Sequence, residues 1–164
     1  MNKIIKVTFL AVFIIGCTTI PTTAIYRETE GQISPTIHVL PITDDTADGR
    51  IDDISLVVLK NDLIKKLNAS GKFLAVYEML PASNQENITR VKCKVTQFDT
   101  SSRRMVMVTE LLQDNSDRPF FRFVSHTLLA SVVWPFDYAA VMKRAGKAVV
   151  KDVSETIVHL MKSE

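Results

Sequence analysis

Polar and apolar positions change period several times along this chain, and each change marks an element. From Thr89 to Phe98 (TRVKCKVTQF) they alternate, with Val91, Cys93 and Val95 on one side and Arg90, Lys92, Lys94 and Thr96 on the other. Successive strand side chains point to opposite faces, so a period of two predicts a strand with one face on a core and a basic outer face. Asp99 to Arg103 (DTSSR) reads as a turn and Met105 to Leu112 (MVMVTELL) as the returning strand. Gln113 to Pro119 turns again, and Phe120 to His126 (FFRFVSH) continues the sheet. Upstream, Thr36 to Ile42 (TIHVLPI) and Phe73 to Met79 (FLAVYEM) are short apolar runs that read as two further strands. Pro41 cannot donate to a ladder, which puts it near a strand end or an edge.

Two stretches switch to the helical period. Over Ile54 to Asn68, Leu56, Leu59, Leu63, Ile64 and Leu67 recur at spacings of three and four, and Lys60, Asn61, Lys65 and Lys66 mark the expected solvated side. The acidic loop Asp44 to Asp53 leads into this helix, with Asp52 or Asp53 as its N-cap and Ser70-Gly71 as its stop. A longer helix runs from Asp137, its expected N-cap, to about Lys162. Its stripe is Tyr138, Val141, Met142, Ala145, Val149, Val153, Ile157 and Leu160. Pro81 to Asn87 is a polar connection. Thr127 to Phe136 (TLLASVVWPF) is almost wholly apolar and reads either as a buried connector or as an exposed patch, with Trp134 and Phe136 as candidate partner contacts. Two helices with one apolar stripe each cover one face of a sheet. The expected fold class is therefore α+β, a two-layer sandwich with a mixed sheet of about four to five strands and two main helices on one face, forming a single domain over residues 36–164.

The amino terminus follows a different logic. Lys3 and Lys6 form a short positive head, and Val7 to Ile15 is apolar apart from Thr8. That run falls far short of the ~20 residues a membrane-spanning helix needs, and it reads as a secretory leader. Its end, Ile14-Ile15-Gly16-Cys17, resembles a bacterial lipobox. The resemblance implies that residues 1–16 are removed as a signal peptide and that Cys17 is acylated and becomes the mature N-terminus. A thiolate is the side chain best suited to take up a diacylglyceryl group, and acyl chains hold a protein at a membrane by about 0.8 kcal/mol per buried methylene. By the lipoprotein sorting pattern, Thr18 rather than Asp after the cysteine implies a periplasm-facing anchor in the outer membrane of a Gram-negative bacterium. The other reading is an ordinary leader cut after Thr22-Thr23-Ala24. Thr18 to Pro35, rich in Thr, Pro, Glu and Gly without apolar period, reads as a flexible tether within residues 17–35.

Lys3 and Lys6 account for the whole excess of 20 basic over 18 acidic residues, so the chain after the leader is neutral apart from its histidines. A neutral domain is a poor nucleic-acid binder, because such binding rests on displacing phosphate counterions. With Cys17 lipidated, Cys93 is the one remaining thiol and no intrachain disulfide can form.

Within the domain, "IHVLPITDDT" followed by "LKNDLIKKLNASGKFLAVYE" carries a family resemblance over Ile37 to Tyr77. Val39-Leu40-Pro41 and Ser70-Gly71-Lys72-Phe73 resemble the opening strand and helix end of the lipoprotein group typified by the curli-secretion lipoprotein. That group includes the penicillin-binding-protein activator and flagellar outer-membrane lipoproteins. The resemblance implies a shared βαβ opening. The chain departs from the group afterwards: only Pro81 to Ile88 stands where the group has a second helix and strand, and no alternating apolar stretch is long enough for the membrane hairpins of a curli-type pore. Fold does not by itself supply function.

Chemistry-bearing residues do not gather into a motif. His38, His126 and His159 lack metal-ligand spacing, and Cys93 between Val91 and Val95 reads as a buried small hydrophobe. Asp44, Thr46, Asp48 and Gly49 resemble the start of a calcium loop, but the position of its bidentate Glu holds Ser55. No catalytic, cofactor or metal residue is therefore assigned. The basic row Arg90, Lys92 and Lys94, with Trp134 and Phe136, supplies the candidate partner-binding residues. The expected function is non-enzymatic: a binding or assembly accessory factor of a cell-envelope complex, with the membrane engaged through the lipid and an envelope protein as partner. A regulator of a cell-wall-synthesising enzyme is the alternative, with an envelope hydrolase behind it.

Overall fold

In the computed structural model, which describes residues 22–28, 30–79, 87–113, 116–129 and 137–162, the sheet is built around its longest strand, β5 (Ile88–Asp99). On one side β5 pairs antiparallel with β6 (Arg104–Gln113), which pairs with β7 (Pro119–Leu128), which pairs in turn with β1 (Thr22–Arg27). On its other side lie two short parallel partners, β2 (Thr36–Val39) at Ile88–Val91 and β3 (Thr43–Asp44) at Lys94–Val95. The outermost strand there is β4 (Ala75–Tyr77), parallel to β2. The sheet has seven strands in the order β1-β7-β6-β5-β2-β4, with β3 attached to β5. The α+β class and the mixed sheet agree with expectation, and the strand count is higher by two for identifiable reasons. Pro41 splits the predicted first strand into β2 and β3, while Leu40 N donates to Val91 O (3.0 Å) and Asp45 N to Val95 O (2.8 Å), keeping the chain against β5 across the break.

The second extra strand, β1, corrects the tether reading. Thr22 to Arg27 pair residue by residue with His126 to Phe121 instead of running as coil. The apolar pattern carried no sign of this, because an edge strand is held by its backbone ladder and does not need to bury side chains; Ile25 and Tyr26 remain exposed. Beyond it, Ile33 is buried, so the ordered part of the molecule begins well before the predicted Thr36.

Helices α1 (Asp53–Ala69) and α2 (Tyr138–Lys162) cover the same face of the sheet. Their caps are those the sequence predicts. Asp52 Oδ1 accepts from Ser55 N at 2.8 Å, Asp137 Oδ1 accepts from Ala140 N at 2.6 Å, and Gly71 follows α1 with φ +63°. Leu56, Leu59, Leu63 and Leu67 of α1 and Val149, Val153 and Ile157 of α2 meet Ile37, Val91, Cys93, Val95, Met107 and Phe123 in the core. The two helices run side by side in the same direction: Tyr138 Oη donates to Asp52 Oδ2 (3.1 Å) where both begin, and Gly146 lets Leu59 approach so closely that a Cβ there would lie 2.5 Å from Leu59 Cδ2. Lys60, which the helical period puts on the solvated side, is buried, because its ammonium reaches across to the end of β4.

Candidate functional site

The face of the sheet turned away from the helices carries Arg90, Lys92 and Lys94, as the alternation predicts. The structure gives each of them an acidic neighbour. Register sets Lys92 beside Glu110 and Glu110 beside Arg122, in a row across β5, β6 and β7. Arg122 donates to Glu110 Oε1 from Nε (3.1 Å) and Nη2 (2.7 Å), while its Nη1 lies 3.0 Å from Glu28 Oε1 just past β1. Lys92 Nζ lies 3.7 Å from Glu110 Oε2. Arg90 donates to the Ser116 carbonyl at 2.6 Å with Asp117 at 3.8 Å, and Lys94 stands 4.0 Å from Asp45. The surface is an interleaved array of both charges, with Glu110 largely shielded between two cations, and it presents no unbroken basic stripe. Glu110 and Arg122 were legible in principle: Glu110 is the one acid of β6 and Arg122 the one arginine of β7, and opposite charges of this kind pair across strands once register is known.

At the β4 edge of the same face lies a second polar cluster. His38 is buried, opposite Tyr77 on β4 and Arg90 on β5. Lys60 Nζ donates to Glu78 O and lies within 3.3 Å of Glu78 Oε1. Burial is the largest influence on His38 and holds its pKa below the usual imidazole value. A hydrogen bond with the Glu78 backbone opposes this, and the positive charges of Lys60 and Arg90 reinforce it. Nδ1 of His38 and Nε of Arg90 are both buried without a hydrogen-bond partner. Cys93 sits on the core face, where burial pushes its thiol up to about 12 against a weaker opposing contact with Thr109 Oγ1 at 3.6 Å. A thiol held protonated in this way does not act as a nucleophile.

The acidic loop before α1 is occupied with its own backbone. Asp44 Oδ1 accepts from Thr46 N and Oδ2 from Ile51 N, both at 2.9 Å. Burial raises the Asp44 carboxyl, but these bonds together outweigh it and the net shift is downward. Among the described residues, no group of three or more His, Cys, Asp or Glu is placed to hold a metal ion. Cys17, Trp134 and Phe136 lie outside the described residues.

Two of the depressions on the described surface bear on function. One, of about 480 Å³, lies between the C-terminal halves of the helices and is lined by Lys66, Ser70, Ser154 and His159 among others. The other, of about 670 Å³, opens at the sheet end where β5 begins and β6 finishes, beneath the loop Gln32–Pro35 and beside Met161 of α2. No helix among the described residues is long and apolar enough to cross a membrane.

No family model matches the sequence, and no curated protein matches it. Among solved structures, PelC from Paraburkholderia phytofirmans, a dodecamer, aligns over 82% of this chain and 97% of its own at 12% identity with a TM-score of 0.46. An uncharacterized protein aligns over 80% of this chain and 98% of its own at 14% identity with a TM-score of 0.48. A Caulobacter crescentus CB15 protein, provisionally a lipoprotein, aligns over 74% of this chain and 88% of its own at 14% identity with a TM-score of 0.38.

Proposed function

We propose that this chain is a lipid-anchored protein of the bacterial envelope, held at the outer membrane through Cys17, and that its α+β domain is a non-enzymatic docking or assembly factor for an envelope complex. The observation that carries the reading is the leader ending in Ile14-Ile15-Gly16-Cys17. The fold adds a geometric consequence. Because β1 starts at Thr22, the chain from Cys17 to the sheet has five residue steps and can extend no more than about 18 Å. A lipid at Cys17 thus holds the domain next to the bilayer. Binding at such a site gains from local concentration more than from reach.

Intact-mass measurement of the full chain expressed in a Gram-negative host, with membrane fractionation, tests this. The expected species begins at Cys17, carries acyl mass and sediments with the outer membrane; Cys17→Ser loses both properties while the domain still folds. An unmodified polypeptide beginning at Ile25 would overturn it.

A further inference from the structure

We propose that the 670 Å³ cavity at the start of β5 is a binding site for an uncharged, extended peptide segment of a partner protein. The site deepens the docking role proposed above and rests on it for its setting in the envelope. Three side-chain amides, Gln32, Asn87 and Gln113, stand around the opening, and Ile33, Ile88 and Met161 supply apolar surface. A side-chain amide offers one carbonyl acceptor and two N–H donors, the same complement a peptide group needs. Among the described lining residues none is charged, so a charged ligand would give up hydration here without a compensating partner. None is aromatic either, which leaves the C–H face of a sugar ring without a plate to rest on. The volume falls within the roughly 300–1,000 Å³ usual for ligand sites.

One wall of the cavity is tied to the neighbouring strand. Asn87 sits in the left-handed region at φ +66°, an uncommon conformation for a residue with a side chain. Ser34 holds it there: its hydroxyl donates to the Asn87 carbonyl, while its own N–H donates to Thr89 Oγ1 at 2.8 Å. Topology places the cavity usefully. The chain enters the sheet at Thr22 beside His126, crosses with β1 to Arg27 beside Phe121, and only then forms the loop Gln32–Pro35. The cavity therefore lies at the pole of the sheet opposite Thr22, and so opposite the end through which the proposed anchor would enter.

The test uses the full-length protein in detergent micelles, whatever its state at Cys17, and a library of capped, uncharged hexapeptides, with chitohexaose and maltohexaose as the competing class. Expected are enriched peptides that share an aliphatic residue at one position, bind at least tenfold more weakly to the Gln32→Ala/Gln113→Ala protein, and slow hydrogen exchange across residues 32–36 and 87–89. Both substituted side chains are exposed, so an unchanged thermal midpoint separates lost binding from lost folding. The absence of peptide enrichment, enrichment indifferent to the double substitution, or binding of an oligosaccharide alone would each overturn the assignment. Peptide binding is read without reference to Cys17, so a failure of lipidation and a failure of this site are told apart.

Discussion

At the scale of single residues, the decisive feature is how polar groups are satisfied where strands meet. His38 is a buried base with the cations of Lys60 on α1 and Arg90 on β5 near it; Glu78 at the end of β4 stands beside Lys60, and Asp117 beside Arg90. Burial and those cations depress its folded pKa below the usual imidazole value of 6.5. Between the depressed value and 6.5 the unfolded chain binds more protons than the folded one, so stability increases with pH across that window and is lost as pH falls through it. Denaturant titrations from pH 7.5 to 5 should show this slope in the wild type and a flatter one in His38→Gln. Parallel profiles would mean that the ring is not responsible. The alternation in sequence put His38 on a strand but could not show this, since Lys60 reads as a solvated helix residue until β4 is laid against α1.

At the scale of elements, the helices were the most legible parts. Apolar spacing, an Asp at each start and Gly71 after α1 are local signals, and a helix needs little else to declare its limits. Their crossing is another matter. Gly146 lies inside an otherwise good helix, where glycine is locally unfavourable by about 1 kcal/mol relative to Ala; its reason appears only in the contact with Leu59. Gly146→Val should therefore destabilise the domain by ~1–3 kcal/mol through overpacking despite the better helix propensity expected of a residue with a side chain. The midpoint of urea unfolding measures it. A neutral or stabilising result would show that Leu59 gives way freely.

At the scale of the whole molecule, one outer edge of the sheet is β1, held to β7 by its backbone ladder. If β1 is the edge strand, replacing Thr22–Arg27 by Gly-Ser repeats of equal length weakens that edge, and about half the amides of Phe121–His126, those facing β1 in an antiparallel ladder, lose exchange protection. The ladder between β5 and β6 keeps its own. Full retention of protection in β7 would return these residues to the role of a tether.

What the sequence determined alone was whatever depends on neighbours a few positions away: the period-two face of β5, the two helical stripes, and the caps. Only the tertiary structure could decide pairings between residues far apart in the chain. The edge strand β1 gains its order from backbone bonds to β7 and leaves Ile25 and Tyr26 exposed, so no burial pattern marks it in advance. The charge row Lys92–Glu110–Arg122 depends on register, and a slip of one residue would move every partner to the opposite face. The amide-rimmed cavity is assembled from Gln32, Asn87 and Gln113, which share no local pattern and meet because β1, β5 and β6 each end or begin at the same pole.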